Sequence, residues 1–330
     1  MKHKNQVFDN VLDLVGKTPL IKLNKMAAEF EGNFYAKVES FNPGHSSKDR
    51  IALYIIEQAE KQGILSPGDT IIETTSGNTG FSIAMVSIIK GYDCVLAVSS
   101  KSSADKIDML KTMGAKVYVC PAHVSADDPR SYYEVAKRLH SEIKGSVYIN
   151  QYFNQLNIDA HYASTGPEIW NQTEGKITHL IACSGTGGTI SGTAKYLKEQ
   201  NPDIKVWGID TYGSVFKKYH ETGIFDEKEI YPYVTEGIGE DILPKNVDFS
   251  IIDGFTKVTD KDAAIYTQRL AKEEGMFLGN SAGAAIKGLL QLKEHFTKDD
   301  VVVVLFHDHG SRYVAKMFND DWMRKMGYKD

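Results

Sequence analysis

The feature that most constrains the fold is the regular alternation of short apolar segments with longer helical segments. Segments 69–74 (DTIIET) and 94–98 (CVLAV) have the length and composition of buried strands, whereas segment 78–90 between them has the pattern of a helix. Strands separated by helical crossovers form parallel sheets that helices cover on both faces. The alternation therefore predicts an α/β protein with mainly parallel sheets.

The alternation falls into two series. The first ends near residue 150, and the second runs from segment 178–183 to segment 301–306. The last segment (VVVVLF) is an uninterrupted apolar run, which is typical of a strand buried on both faces. At about 100–200 residues per domain, a chain of 330 residues suits two α/β domains with a cleft between them. Segment 212–244 breaks the rhythm, and irregular segments of that length are usually functional or mobile.

Charge and cysteine content exclude several classes of protein. The 38 basic and 43 acidic residues give a net charge of −5, which provides no general attraction for nucleic acid or an anionic membrane. Cys94, Cys120 and Cys183 lie far apart, so neither a zinc knuckle nor a disulfide framework fits. The N-terminus lacks the apolar core of a signal peptide, and the longest apolar runs are too short to span a bilayer. We therefore expect a cytoplasmic protein with no nucleic-acid or membrane partner.

Three glycine-bearing loops are predicted to follow strands and to precede helices: segments 75–80 (TSGNTG), 184–189 (SGTGGT) and 279–283 (GNSAG). Free N–H groups and the helix dipole at such positions favour an anion. The second loop is the best candidate for a phosphate site because it combines three glycines with two threonines. From these residues alone, tight packing at strand–helix turns explains the small side chains equally well.

Two common phosphate motifs do not match the chain. Residues 16–18 supply the end of a Walker loop, but Val11 stands where its first glycine is required. Segment 185–187 begins a dinucleotide fingerprint, but Ile190 stands where its third glycine is required. Because Asp210 supplies the acidic residue expected after the second strand, a nicotinamide-dependent dehydrogenase stays open as a weaker alternative.

Segment 42–50 (NPGHSSKDR) places Lys48 at the start of a predicted helix, and Asp49 is a candidate cap for that helix. The N-terminus of a helix disfavours a cation, so this position is electrostatically unusual for lysine. A lysine that is desolvated or joined to an aldehyde as an imine has different chemistry. The alternative is an exposed lysine whose charge Asp49 offsets.

Together, these segments resemble the motifs of a known family. Segment 42–50 is similar to the N-x-G-x-S-x-K-D-R lysine motif of pyridoxal-phosphate enzymes with the tryptophan-synthase-like fold, also called fold type II. The glycine-bearing loops resemble the T-S-G-N-T-G, G-T-G-G-T and G-x-S-x-G motifs of these enzymes, in the same order. The resemblance runs from about Asn10 to the C-terminus and indicates the family of cysteine synthase and cystathionine β-synthase.

The resemblance implies two three-layer α/β domains with mainly parallel sheets. Residues 42–152 would form a smaller, mobile N-terminal domain that carries the substrate-carboxylate loop. Residues 12–41 and 153–330 would form a larger domain that holds the phosphate and pyridine groups of the cofactor. The family also implies pyridoxal 5′-phosphate as the cofactor and a homodimer as the assembly.

The resemblance also implies a role for each motif residue. Lys48 would carry the cofactor as an imine and later move the α-proton of the substrate, and Asn78 would hydrogen-bond the 3′-oxygen of the cofactor. Ser281 would face the pyridine nitrogen, where a neutral hydroxyl leaves that nitrogen unprotonated and favours β-elimination over transamination. The phosphate would be held by Gly185, Thr186, Gly187, Gly188 and Thr189. The substrate carboxylate would be bound by Thr75, Ser76, Thr79 and Gln151.

The two branches of the family share features with different parts of the chain. Segment 165–170 (TGPEIW) is closer to cysteine synthase. Residues similar to the cystathionine β-synthase core are found at 128–131 (DPRS), 151–152 (QY), 161–162 (HY), 236–239 (EGIG) and 318–323 (FNDDWM). By this resemblance, Gly237, Glu240 and Asp241 would contact the bound amino acid. Glu240 nevertheless stands where cystathionine β-synthases carry tyrosine, which weakens the prediction that homocysteine is used.

The reaction implied is β-elimination followed by β-replacement on a serine-type amino acid, with a thiol or sulfide as the second substrate. The first interpretation is cystathionine β-synthase, which joins L-serine to L-homocysteine. Cysteine synthase, which uses O-acetylserine and sulfide, and a hydrogen sulfide-releasing replacement on cysteine remain alternatives. His45, His307 and His309 depart from the family pattern, and we expect loop, ring or phosphate contacts from them and no metal site.

Overall fold

A computed structural model describes residues 7–75, 77–125 and 127–330. The strands in these ranges are β1 (Leu20–Lys22), β2 (Asn33–Val38), β3 (Thr70–Thr74), β4 (Asp93–Ser99), β5 (Lys116–Cys120), β6 (Ser146–Tyr148), β7 (His179–Cys183), β8 (Lys205–Thr211), β9 (Gly254–Val258) and β10 (Val301–Phe306). The α-helices are α1 (Lys48–Lys61), α2 (Asn78–Lys90), α3 (Ala104–Thr112), α4 (Tyr132–Glu142), α5 (Leu156–Ala163), α6 (Thr165–Gln172), α7 (Gly188–Gln200), α8 (Phe216–Thr222), α9 (Asp260–Arg269), α10 (Asn280–Gln291) and α11 (Asp320–Lys325). None of these helices combines the length and the apolar composition that crossing a bilayer requires.

The chain divides into two compact units. Unit 1 consists of the described residues up to Lys17 together with Asn42–Leu156, and unit 2 consists of Thr18–Phe41 together with Asn157–Asp330. These bounds differ from the predicted ones at residues 12–17 and 153–156. Local hydrogen bonds explain both differences: Gly16 donates its N–H to Asn42 Oδ1 at 2.8 Å, and Asn154 Nδ2 donates to the carbonyl of Ile149 at 2.8 Å.

Unit 1 is built on a parallel four-stranded sheet with the order β5-β4-β3-β6. Helix α4 packs against one face of this sheet, where its Leu139 joins a buried cluster with Ile72 and Val95. Because proline suits the first turn of a helix, the sequence predicts that this helix starts at Pro129, and that prediction was wrong. The helix begins at Tyr132, because the side chain of Ser131 caps it by accepting the N–H of Glu134.

Unit 2 is built on a six-stranded sheet with the order β1-β2-β10-β7-β8-β9, in which only the β1–β2 pair is antiparallel. Strand β10 is the VVVVLF segment, and it pairs on one side with β2 and on the other with β7. All of its residues after Val301 are buried, as the apolar run predicts for a strand covered on both faces. The α/β class with mainly parallel sheets is therefore confirmed.

Candidate functional site

Lys48 is the first residue of α1 and is half-buried. The preceding loop is held by backbone hydrogen bonds: His45, at a positive φ of 63°, donates its N–H to the carbonyl of Asn42 at 2.8 Å. The backbone N–H of Lys48 donates to Ser46 Oγ at 3.3 Å. The structure thus places Lys48 at the N-terminus of a helix, which is the positive end of the helix dipole.

The prediction that Asp49 caps α1 was wrong, because Asp49 lies within the first turn of the helix. Its carboxylate is fully buried and accepts the N–H of Gly44 and the hydroxyl of Ser82, each at 2.5 Å. A Cβ on Gly44 would overlap this carboxylate, so glycine is needed there. Asp49 therefore ties the loop before Lys48 to helix α2, which carries Ser82.

The loop at 75–80 follows β3 and leads into α2, so the predicted strand–loop–helix arrangement is present. Gly77 donates its N–H to Thr75 Oγ1 at 3.2 Å, and Asn78 is the first residue of the helix. Thr79, buried in the first turn, donates its hydroxyl to Gln151 Oε1 at 2.8 Å. Unit 1 therefore places Thr79 together with Gln151 and on the same loop as Thr75 and Asn78. The predicted contact of Ser76 lies outside the described residues.

Glu73 is a buried residue of this region that the sequence analysis did not select. It is 0% exposed and occupies the next-to-last position of β3. Burial raises the pKa of its carboxyl above the ordinary value of 4.5, although hydrogen bonds from Thr74 and Gln151 oppose this effect. The signal that could have found it is a carboxylate at the end of an apolar strand, directly before a functional loop.

The loop at 184–189 connects β7 to the first turn of α7. Gly187 has a φ of +86°, and a Cβ there would overlap the backbone at Asn246 and Val247. A Cβ on Gly188 would overlap the side chain of Asn157, so both positions require glycine. The first N–H groups of this 13-residue helix have no partner within the helix, and such groups at a helix N-terminus favour an anion.

Two neutral side chains support this loop. Asn157 Nδ2 donates to Thr186 Oγ1 at 3.2 Å. The fully buried ring of His161 has Nε2 at 3.1 Å from Thr189 Oγ1 and Nδ1 at 2.8 Å from Thr165 Oγ1. A hydroxyl can donate or accept, so the ring orients both hydroxyls through its two nitrogens.

Ser281 is buried in the first turn of α10. Its carbonyl accepts a hydrogen bond from Cys183 Sγ at 3.1 Å, and Cys183 is the last residue of β7 before the 184–189 loop. The structure therefore brings Ser281 close to the predicted phosphate loop within unit 2. The expectation that loop 279–283 follows a strand was wrong, because Leu278 forms only an isolated bridge to His309.

The segment around Gly237 and Glu240 also lies beside the phosphate loop. Gly239 donates its N–H to the carbonyl of Ser184 at 2.7 Å, and a Cβ on Gly185 would contact the carbonyl of Gly237 and Glu240 Oε1. The N–H of Glu240 donates to Ser214 Oγ at 3.0 Å. These contacts hold part of segment 212–244, whose length suggested that it is functional or mobile. Asp241 is exposed at the end of this segment.

The remaining candidates form hydrogen bonds within unit 2. The buried Asp210 accepts the N–H of Lys217 at 3.0 Å, so this carboxylate is engaged within unit 2. His307 Nε2 lies 3.2 Å from the carbonyl of Cys183, and His309 Nδ1 lies 3.0 Å from Ser311 Oγ. Across ranges 7–75, 77–125 and 127–330, no group of three or more His, Cys, Asp or Glu residues is arranged to hold a metal ion.

These residues fit the chemistry of pyridoxal phosphate. A phosphate group needs a helix N-terminus with close backbone approach, and the packed glycines at 187 and 188 provide it. Thr186 and Thr189 add hydroxyl donors that neutral residues orient. Unit 1 supplies a lysine at the N-terminus of a helix.

The chain is similar to proteins of known activity. It is 40% identical over 327 residues to cystathionine beta-synthase from Dictyostelium discoideum, covering 99% of this chain and 65% of that relative. It is 36% identical to cysteine synthase 1 from Emericella nidulans, covering 98% of this chain and 88% of that relative. A crystal structure described as O-acetylserine dependent cystathionine beta-synthase from Helicobacter pylori matches with a TM-score of 0.85 and 32% identity, over 94% of this chain and 98% of that chain.

The chain spans just under two thirds of the length of the Dictyostelium relative. The sequence profile of the family described as "Pyridoxal-phosphate dependent enzyme" matches residues 11–308. The family resemblance, the fold-type II architecture and the cofactor predicted from the motifs are thereby confirmed. The chain belongs to the pyridoxal-phosphate dependent enzymes.

Proposed function

We propose that this protein catalyses β-replacement on a serine-type amino acid, joining L-serine to L-homocysteine to form L-cystathionine. The observation that carries the choice of reaction is the 40% identity to a cystathionine beta-synthase over 99% of this chain. The geometry agrees with this reaction class, since a lysine amine, an anion cradle and a neutral hydroxyl at Ser281 are all present. Bound pyridoxal phosphate supplies an electron sink that stabilises negative charge at the substrate Cα.

Unit 1 contributes the proton transfer and the substrate carboxylate site. The Lys48 amine would hold the cofactor through a covalent bond; once the amino group of the substrate has replaced it in that bond, the freed amine would remove the proton from the substrate Cα as a general base. Thr75 and Thr79 bind the substrate carboxylate together with Gln151, and the Thr79–Gln151 hydrogen bond keeps these groups in one place. Asn78, at the start of α2, hydrogen-bonds the 3′-oxygen of the cofactor.

Unit 2 contributes the phosphate and pyridine contacts. Residues 185–189 bind the phosphate through backbone N–H groups and two threonine hydroxyls. The hydroxyl of Ser281 would face the pyridine nitrogen, and a neutral hydroxyl there would leave that nitrogen unprotonated and so favour loss of the β-substituent. The phosphate loop and Ser281 are linked through Cys183, so both contacts are fixed by the same end of β7.

Gly237, Glu240 and Asp241 are proposed to recognise the second substrate. Glu240 lies beside Gly185, and a carboxylate there suits the ammonium group of an incoming amino-acid thiol. The double variant Glu240→Gln with Asp241→Asn should slow cystathionine formation about tenfold and leave release of the β-substituent from serine unchanged. Stopped-flow absorbance follows the two half-reactions separately, and wild-type rates for both with every acceptor would refute the assignment.

Cysteine synthase is the second candidate function, because a cysteine synthase from Emericella nidulans matches 98% of this chain. The Helicobacter enzyme is described as O-acetylserine dependent, so O-acetylserine is a plausible donor in either reaction. Both alternatives use the same residues for proton transfer and carboxylate binding. They differ in the leaving group and in the incoming nucleophile.

The deciding experiment is product analysis by mass spectrometry. Serine, O-acetylserine and cysteine are each supplied with sulfide or with homocysteine. We expect cystathionine from homocysteine, with Lys48→Ala as the inactive control. Cysteine formed from O-acetylserine and sulfide, with no cystathionine from any donor, would favour the second candidate. A protein that lacks a cofactor absorption band and turns over no pair would contradict both.

We also propose, from the family resemblance, that the enzyme acts in the cytoplasm as a homodimer. Sedimentation equilibrium should give twice the mass of one chain. The mass of a single chain across the concentration range used for assays would contradict the dimer.

A further inference from the structure

Glu73 is a fully buried carboxylate to which the proposed reaction assigns no role. Its two neighbours toward the start of β3, Ile71 and Ile72, are also 0% exposed. Within the described part of the chain, no cationic side chain forms an ion pair with it. Burying an ionised group without a cation is costly unless hydrogen bonds replace its water. The contacts of this carboxylate therefore indicate its function.

Each of the two oxygens of Glu73 holds a different segment of unit 1. Oε1 accepts the backbone N–H of Thr74 at 2.6 Å and the hydroxyl of Thr74 at 3.1 Å. Oε2 accepts the backbone N–H of Gln151 at 3.1 Å. Thr74 is the residue directly before the loop at 75–80. The carboxylate therefore connects the end of β3 to the segment that follows β6.

The backbone around Gln151 is adapted to this contact. Asn150, the residue before it, has a φ of +52°, a left-handed conformation that only a small fraction of residues other than glycine adopt. Such a conformation persists when the surrounding contacts over-determine it. The N–H of Gln151 meets Glu73, while Asn150 accepts at its carbonyl the N–H groups of Phe153 and Asn154. The backbone contact to Glu73 therefore contributes to the position of Gln151.

From Gln151 the network returns to the loop. The side chain of Gln151 is 5% exposed and accepts the hydroxyl of Thr79 at 2.8 Å. Thr74, Thr79 and Gln151 are consequently joined through one carboxylate and one amide. Burial, followed by the negative charge of Glu73, raises the pKa of the neighbouring Tyr148 to about 12, which keeps this phenol neutral beside the network.

We infer that Glu73 is a positioning residue for the α-carboxylate of the amino-acid substrate: by accepting hydrogen bonds from Thr74 and Gln151 together, it fixes the two segments that bind that carboxylate. This inference rests on the proposed function, which assigns carboxylate binding to Thr75, Thr79 and Gln151. An anionic group suits the task because it accepts from three donors at once. A glutamine amide would turn an NH2 group toward at least one of them, leaving two donors facing each other.

The test is Glu73→Gln, which keeps the size of the side chain and removes its acceptor symmetry. We expect KM for the amino-acid donor to rise about tenfold while kcat changes less than about threefold and the absorption of the bound cofactor is unchanged. A second readout compares the donor with its carboxamide, such as serine with serinamide. The preference for the carboxylate in kcat/KM should fall about tenfold, and a general loss of structure would not produce this selective change.

The matched control is Glu60→Gln. Glu60 is a second carboxylate of unit 1, where it accepts hydrogen bonds from Lys90 Nζ at 2.9 Å and from Tyr92 Oη at 2.8 Å. Both of these partners lie at or after the C-terminal end of α2, whereas the loop at 75–80 precedes that helix, so the Glu60→Gln variant should keep KM within about twofold of the wild type. If Glu73→Gln does not fold, Thr74→Val removes one donor to the same carboxylate and should raise KM about threefold.

The variant Gln151→Ala separates the inference from the proposed function. If Gln151→Ala leaves KM and the carboxylate preference at wild-type values, the assigned carboxylate site is wrong and the proposed function fails at that point. If Gln151→Ala impairs both, but Glu73→Gln or its substitute Thr74→Val behaves as the wild type, the positioning role of Glu73 is overturned.

Discussion

The loop at 75–80 in unit 1 and the loop at 184–189 in unit 2 occupy equivalent places between a strand and a helix but have different supports. Each follows a parallel strand and leads into a 13-residue helix. The first is supported by buried carboxylates, Glu73 behind the loop and Asp49 against α2. The second is supported by the neutral side chains of Asn157 and His161.

The difference follows from the charge of the expected ligand. A phosphate carries up to two negative charges, whereas an amino-acid substrate is a zwitterion with no net charge, so a carboxylate that contacts the binding loop would repel the phosphate more strongly than the substrate. The carboxylates of unit 1 instead accept hydrogen bonds from backbone N–H groups and hydroxyls, and so fix the position of the loop. Glu240 is the exception in unit 2, and the amino group of a second substrate accounts for a carboxylate there. Similar helix N-termini can thus be adapted to different ligands by the side chains that support them.

The largest effect is expected from Lys48→Ala, which removes the covalent attachment in unit 1 and leaves the cradle of unit 2 intact. Turnover should fall by about a thousandfold or more, because both the attachment and the general base are lost. The variant should still bind pyridoxal phosphate through the phosphate loop, measured by fluorescence titration. Ordinary turnover with an unchanged cofactor spectrum would reject the role of Lys48.

The next effect is expected from Ser281→Asp, which places a carboxylate against the pyridine contact of unit 2. A carboxylate favours a protonated ring nitrogen and so changes the electronics that the neutral hydroxyl maintains. We expect β-replacement to fall about a hundredfold, measured as kcat with saturating donor. A variant within about twofold of the wild type would count against this contact.

A smaller effect is expected from Asn157→Asp, which makes the support of the phosphate loop resemble that of unit 1. The new charge would lie against Gly188 and Thr186. The Kd for pyridoxal phosphate should rise about thirtyfold, equivalent to about 2 kcal/mol. The control is Asn201→Asp at the opposite end of α7, which should bind the cofactor as the wild type does. Equal affinities for the two variants would show that charge behind the loop does not matter.

The smallest effect concerns the pH dependence of stability that Glu73 confers on unit 1. The folded-state pKa of Glu73 is raised above 4.5. Between pH 4.5 and that pKa, the unfolded chain therefore releases a proton that the folded chain keeps. The free energy of unfolding should therefore fall as pH rises from 4.5 to the folded-state pKa, by at most about 1.4 kcal/mol per pH unit. Urea unfolding at several pH values measures the free energy of unfolding of the wild type and of Glu73→Gln. The difference between the two should not depend on pH in this range if the folded-state pKa is ordinary.

Sequence patterns predicted the parts of the fold that depend on local order. Helix 78–90 and strand 301–306 have the predicted bounds, because an apolar run or a helical period needs no distant partner to be recognised. Strand β2 was missed because its pairing with β10 brings together distant parts of the chain. The start of α4 was misplaced because Pro129 suits a first turn, whereas the hydroxyl of Ser131 supplies the cap.

The same limit applies to the site. The motif residues were found because each loop is continuous in the sequence. The residues that support the loops were not found. Asn157 and His161 reach the phosphate loop from another helix, and Glu73 lies within a strand pattern. Asp49 was wrongly predicted to be a helix cap. Its partner Ser82 could not be recognised in the sequence, because their hydrogen bond depends on how α1 and α2 pack. Contacts across elements are set by tertiary packing and leave little trace in spacing.

The most direct test of the division between the two supports is to measure the donor KM and the cofactor Kd for Glu73→Gln and Asn157→Asp side by side. We predict that Glu73→Gln raises KM for the donor about tenfold with an unchanged Kd for pyridoxal phosphate. Asn157→Asp should raise that Kd about thirtyfold and leave KM unchanged once the cofactor is saturating. If both variants change both constants to the same extent, the carboxylate and neutral supports have no separate functions, and the account is contradicted.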